Sequence, residues 1–198
     1  MMIKTISKTL GLALLLFTVT INAQTTFKAN TDNAKINWKG FKPTGDHYGT
    51  INLKNGSFTT NNNQITSGEF TIDMNSIVNL DMDATSEWNT KLVNHLKSED
   101  FFDVKKYPTA TFKITSTEKK GNKILVKGNL IIKNKSNPIE FLATIKIENN
   151  QLVFDSEIFK IDRSKWGIEY KSKSFFNDLA DKFIYDDMEI SITIKANK

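Results

Sequence analysis

Apolar and polar residues alternate with a period of two through most of this chain, the mark of β-strands buried on one face. Ile36, Trp38 and Gly40 alternate with Lys35, Asn37 and Lys39. Ile51 and Leu53, Phe70, Ile72 and Met74, and Phe112 and Ile114 alternate with polar neighbours in the same way. The last run is the clearest, with Met188, Ile190, Ile192 and Ile194 set against Glu189, Ser191, Thr193 and Lys195. Successive side chains of a strand point to opposite faces. Parity therefore assigns Trp38, Phe70, Phe112, Phe141 and Phe154 to a common interior. Asn55-Gly56, Gly121-Asn122 and the asparagine runs at 61–63 and 149–150 predict turns, since these residues tolerate positive φ. Strands from Lys123 onward are joined by short turns, which predicts an antiparallel meander. The expected fold is all-β: one extended antiparallel barrel over residues 24–198.

Two segments break the alternation. Between 84 and 97, Trp88, Leu92 and Leu96 recur at helical spacing and predict one short helix with all three on one face. Asp83 is its expected N-cap. Residues 171–187 hold too much Asp, Lys and Ser for a strand and predict a loop with a helical turn between Phe175 and Phe183. The same loop carries Phe175, Phe176, Leu179, Phe183 and Tyr185, which predicts either a permanent plug or a movable gate at the barrel mouth. Leu125, Ile131, Leu142, Val153, Phe159 and Ile161 fall on the opposite parity to their neighbours. They predict an outward apolar surface covered by the helix or by a second copy of the chain, hence a homodimer.

Residues 1–23 read as a secretory signal: Lys4 and Lys8, an apolar run at 10–19, then Ile21-Asn22-Ala23 as the cleavage site. The apolar run is too short to span a bilayer, so no membrane anchor is expected. The expected location is the periplasm or the exterior. The net charge of +5 comes from lysines interspersed with acids rather than from a basic stripe, which argues against a nucleic-acid partner. With no cysteine, disulfides, thiolate catalysis and thiolate metal sites all drop out.

Little catalytic chemistry remains. The two histidines, His47 and His95, lie in unrelated segments and show no metal-ligand spacing, so no metal or cofactor is expected. No nucleophile elbow or phosphate-binding glycine loop is present. His47, within Gly45-Asp46-His47-Tyr48-Gly49, either bonds backbone at a strand end or meets a ligand head group. Gly40, Gly49, Gly68, Ala110, Gly128 and Ala143 share the inward parity of their strands. Small inward residues leave either a cavity or the bends by which strands curl.

Several segments resemble the YceI-like family of exported polyisoprenoid-binding proteins. They are Gly45-x-His47-x-Gly49 after Trp38-Lys39, then 96–104 (LKSEDFFDV) running into 107–112 (YPTATF), Gly128-Asn129-Leu130-Ile131-Ile132 with Asn137-Pro138-Ile139, and 159–168 (FKIDRSKWGI). Together they span the mature chain in family order. The family's usual Thr-Ile-His-Gly-Val-Thr-Lys-Pro run reads IIKNKSNP at 131–138, without its histidine and glycine. The resemblance implies a lipocalin-like barrel enclosing an isoprenoid, quinone, fatty-acid-like or other long-chain amphiphile, and no enzyme. The interior aromatics with Gly128 would form the cavity, Phe175 and Phe176 its gate, and Arg163 with His47 would meet a polar or phosphorylated head. Two other readings stay open: an envelope-stress or interaction protein with a solid barrel, and an enzyme using His47 as a base.

Overall fold

The computed structural model describes residues 24–198, so the signal expected at 1–23 lies outside the described residues. The described residues form ten strands: β1 (Gln24–Ala29), β2 (Lys35–Lys42), β3 (Gly45–Asn61), β4 (Gln64–Asn79), β5 (Thr109–Lys120), β6 (Lys123–Ile132), β7 (Lys135–Glu148), β8 (Gln151–Ser156), β9 (Phe159–Asp162) and β10 (Asp187–Asn197). One α-helix, α1 (Glu87–Lys97), lies between β4 and β5. β2 to β8 pair in sequence order, each antiparallel to the next. β10 then pairs with both β2 and β8 and closes the ring. No edge is left for another chain to pair with along that seam.

Two staves of the barrel are broken. β8 and β9 run along successive stretches of β10, with Phe154 opposite Ile194 and Phe159 opposite Ile190. β1 and β2 likewise run along successive stretches of β3. The break at Glu157-Ile158 shifts the register by one residue. Such a slip exchanges the two faces. Phe159 and Ile161, expected outside, therefore face in: Ile161 is buried and both belong to the packed interior. Ile158 takes the exposed place at 69%. Leu125 and Leu142 do face outward, opposite each other on β6 and β7. The outward surface inferred for a second copy thus loses Phe159 and Ile161.

The turns depart from expectation once. Asn55-Gly56 is no turn but lies within β3, where the ring of Phe70 covers Gly56. Hairpins instead close on pairs with both residues at positive φ: Asn62-Asn63, Lys133-Asn134 and Asn149-Asn150. That is the geometry whose twist matches the flanking strands. At Asn134 (φ 59°), asparagine does locally what the missing glycine of the 131–138 run would do.

α1 is shorter than the pattern suggested. Ser86 rather than Asp83 is the N-cap, accepting from the Trp88 N–H. Asp83 instead accepts from Thr85 just upstream. Trp88 sits in the first turn and is 70% exposed, while Leu96 is buried. Only the C-terminal half of the expected stripe meets the barrel. There residues 98–104 fold back beneath the helix, with Phe102 N–H donating to Leu96 O and Val104 N–H to Lys97 O. That return buries Phe101, Phe102 and Val104.

Candidate ligand-binding cavity

The interior is packed from two clusters. At one end Phe58 meets Phe70 at 4.7 Å and Phe154 at 5.2 Å between ring centroids, among Phe27, Leu53, Ile65 and Leu152. At the other, Trp38, Met74, Ile77, Met188 and Ile161 pack against Leu96 and Phe102 from the helical cap. A cavity of about 130 Å³ is lined by residues of both clusters. Its lining side chains are hydrocarbon, thioether or aromatic, and the one polar group among them, the Trp38 indole N–H, donates to Thr50 O at 3.3 Å.

Trp38, Phe70, Phe112, Phe141 and Phe154 all line this cavity, as parity predicted. Phe159 joins them through the register slip and stacks on Phe141 at 4.2 Å with 8° between planes. Gly128 does not provide free space. A Cβ there would stand 2.6 Å from the Phe112 ring and 2.4 Å from Lys113 O. Gly56 and Gly68 serve the Phe70 ring in the same way. These glycines are seats on which aromatic rings lie flat against the sheet. Among the inward glycines named from the sequence, Gly40 alone has nothing within 4 Å of its would-be Cβ.

Gly40 opens onto a second cavity of about 80 Å³, a vestibule that shares Trp38, Leu96 and Met188 with the first. Its wall brings together residues far apart in sequence: Phe41 and His47 from the β2–β3 hairpin, Leu92 and His95 from α1, Phe101, Arg163, and Ile184 and Tyr185 beside β10. His47 Nδ1 lies 2.9 Å from Asp81 Oδ2. Asp81 Oδ1 also accepts from Tyr48 N–H at 2.9 Å and from the Asn79 side-chain amide. Partial burial pushes the Asp81 carboxyl up, but the bonds from His47, Tyr48 and Asn79 outweigh it and hold it below the usual range. Asp81 is therefore ionised at neutral pH and accepts from the His47 Nδ1–H. His95 packs edge-on against Tyr170 at 4.4 Å and Phe101 at 5.5 Å. Its Nε2 is buried without a hydrogen-bond partner; Asp100 Oδ2, at 3.7 Å, is too distant for one.

Arg163 lines the vestibule but is not free to meet a head group. It is 1% exposed. Nη1 donates to Ile168 O at 2.7 Å, Nη2 to Tyr170 O at 2.9 Å and Ile184 O at 3.1 Å, and Nε to Tyr185 O at 3.3 Å. Asp186 Oδ1 stands 3.2 Å from Nη2, while Oδ2 accepts from the Ser172 and Ser174 hydroxyls. Burial draws the guanidinium below its ordinary pKa, with Asp186 and Asp162 opposing. Arg163 is thus the knot that ties both stems of the 167–186 excursion. The tip of that excursion does not fill the cavity, as a permanent plug would. Phe175 and Phe176 are 50% and 49% exposed and line neither cavity. Phe183 alone of the five is buried, under Lys173 Nζ at 3.7 Å. A single 3₁₀ turn, Ala180–Lys182, lies between Phe175 and Phe183.

Sequence reasoning did not place Met74, Met188, Phe102, Phe159 or His95 in the site. Met74 and Met188 were legible as inward from the alternation of their strands. Phe159 depends on the register slip, and Phe102 and His95 on how 98–104 and the helix return to the barrel, which leave no periodic signal. Among the described residues no group of three or more His, Asp and Glu could hold a metal ion.

A closed antiparallel barrel with an apolar interior and a small vestibule at one end defines a lipocalin-like fold. Residues 17–196 match the YceI-like domain, and the chain belongs to that family. It is 26% identical to a UPF0312 protein of Photorhabdus laumondii over 156 residues, 73% of this chain and 71% of that one. A UPF0312 protein of Vibrio cholerae is 38% identical over 79 residues, 36% of this chain and 42% of the relative. Among solved structures, Burkholderia cenocepacia BcnA superposes with a TM-score of 0.64 at 21% identity, over 85% of this chain and 99% of that one. A polyisoprenoid-binding domain of Saccharophagus degradans gives 0.61 at 13% identity, over 86% and 97%. These structures share the fold.

Proposed function

We propose that this protein encloses the tail of a long apolar or amphiphilic molecule, of polyisoprenoid type, for storage or transport, and that it acts by binding rather than catalysis. The continuous hydrocarbon-lined cavity carries the reading. Membership of the YceI-like family and the polyisoprenoid-binding domain among its structural neighbours support it. Each buried CH₂ contributes about 0.8 kcal/mol. A chain of ~20 carbons gains on the order of 16 kcal/mol gross, against association costs of roughly 4–15 kcal/mol. The tail alone can thus supply useful affinity. The sequence signal at 1–23 supports export to the periplasm or beyond, with cleavage after Ala23.

The cavity at rest is small for such a guest. An engineered apolar cavity of about 150 Å³ holds one benzene, and this one measures about 130 Å³. A long chain must therefore displace side chains. Met74 and Met188 line the cavity, and methionine repacks readily. The same volume supports the competing reading, a barrel filled by its own side chains whose outer surface does the work. Native mass spectrometry of protein purified from its own host separates the two. A retained lipid-sized mass is expected; a clean apo mass, with no uptake of an added prenyl chain, overturns the binding reading.

A further inference from the structure

We propose that the vestibule end of the barrel docks on a lipid bilayer surface through its exposed aromatic and aliphatic side chains. The inference rests on the tail-binding reading above and concerns where the guest is exchanged. Among the described residues, seven of the eight large apolar side chains left exposed belong to segments around the vestibule. Tyr48, Val78, Leu80 and Trp88 form one group. Val78 stands opposite Thr50 on β3, the Leu80 N–H donates to Tyr48 O at 2.9 Å, and Asn89, next to Trp88, donates to Met82 O at 3.0 Å. Phe175, Phe176 and Tyr185 form the other group, on the excursion, where the Tyr185 N–H donates to Phe41 O at 2.9 Å. The eighth, Ile158, lies at the break between β8 and β9. The far end of the barrel differs in kind. Its hairpins turn at 61–64 (NNNQ), 120–123 (KGNK) and 148–151 (ENNQ), without one large apolar residue.

Continuity with the tail cavity identifies the occupant. Tyr185 is 48% exposed and also lines the vestibule, which shares Trp38, Leu96 and Met188 with the bore. Apolar surface thus leads from the exterior to the cavity. A long apolar guest resides in bilayers rather than in water, so its carrier exchanges it there. The two groups are set apart around an opening instead of joined in one face. A folded partner would need about 800 Å² of continuous complementary surface, whereas a fluid bilayer accommodates separate protruding rings. Trp and Tyr favour the membrane–water boundary. Lys91 over Trp88 and Lys173 over Phe183 can keep their ammonium groups in water while their stems lie along the rings. Lys42, Lys91, Lys173 and Lys182 lie among Asp46, Glu87, Asp178 and Asp181, so the contact is apolar and needs no anionic lipid.

Trp88 supplies the test. It is 70% exposed, while Trp38 and Trp166 are 7% and 1% exposed, so bilayer contact changes the emission of Trp88 first. With phosphatidylcholine vesicles free of guest, the protein is expected to float, its emission to shift to the blue, and brominated lipid chains to quench it. Trp88→Phe should abolish the shift and still float. Phe175→Ala with Phe176→Ala should lower the partition about tenfold, as losing the burial of two half-exposed rings does, and should leave uptake of a prenyl probe from solution unchanged. No flotation, flotation only with anionic lipid, a blue shift that survives Trp88→Phe, or undiminished partition of the double variant would overturn the docking surface. So would a dimer in light scattering that the double variant dissolves, which would assign the surface to a second copy. Uptake from solution is read separately: its failure in the unaltered protein would remove the tail-binding reading, and flotation would still decide the surface.

Discussion

The two ends of the barrel are built from the same strands but on different terms. At the closed end, Phe58, Phe70, Phe112 and Phe154 fill the bore, and Phe70 and Phe112 lie against glycines that leave room for their rings. The order there comes mainly from the shape of packed hydrocarbon. At the vestibule end, backbone that belongs to no strand is held by polar anchors: Arg163 under the excursion, Asp81 beside His47, and Lys133 Nζ donating to Phe101 O at 2.9 Å from the β6–β7 turn. Non-strand backbone leaves carbonyls without ladder partners, and buried carbonyls need donors.

The contrast makes graded predictions. The largest effect is expected at the closed end. Phe58→Ala removes a ring that is 0% exposed and touches two others, and should cost about 4 kcal/mol, read from urea denaturation. A loss below about 1 kcal/mol would mean that this end repacks freely and that the contrast is false. Next comes Arg163→Met, which strands four carbonyls and leaves Asp186 unpaired. Breaking a buried pair costs roughly 3–5 kcal/mol, and with Asp186 partly in contact with solvent about 2–3 kcal/mol is expected here. Hydrogen exchange should quicken in 167–186 and not in β5 or β6; uniform quickening would show that the excursion is not separately anchored. The smallest effect belongs to the tip. Phe175→Ala with Phe176→Ala should change stability by under about 1 kcal/mol and leave the release rate of a bound probe unaltered. Destabilisation by several kcal/mol would restore the plug, and faster release at unchanged stability would restore the gate.

How much of this was legible in the sequence differs along the same axis. Strand alternation places the interior aromatics from Trp38 to Phe154, because parity is local and survives any tertiary arrangement. It fails for Phe159 and Ile161, where one extra residue at Glu157-Ile158 inverts the faces. It also fails for Trp88: spacing puts it on the Leu92–Leu96 stripe, but the N-cap at Ser86 leaves it in the first turn, beyond the barrel's edge. Arg163 reads as a free cation in sequence because its carbonyl partners lie 5 to 22 residues away in a segment without periodicity. That His47 and His95 line one vestibule follows from closure of the ring and the placement of the helix against it. No spacing encodes it.

Closure itself carries a kinetic consequence. β10 is the last strand among the described residues, and it alone joins β2 to β8 there; Ile192 stands opposite Ile36, more than 150 residues earlier in the sequence. The hairpins from β3 to β8 join neighbours and can form as soon as their residues meet. The ring cannot, because its final seam pairs the beginning of the described chain with its end. Contacts of such separation slow folding. Until the eleven residues of β10 dock, β2 and β8 present unpaired edges flanking an apolar groove, and chains at that stage are exposed to pairing with one another. The strand that completes the container is thus also the one whose late arrival sets how long the chain remains vulnerable to aggregation.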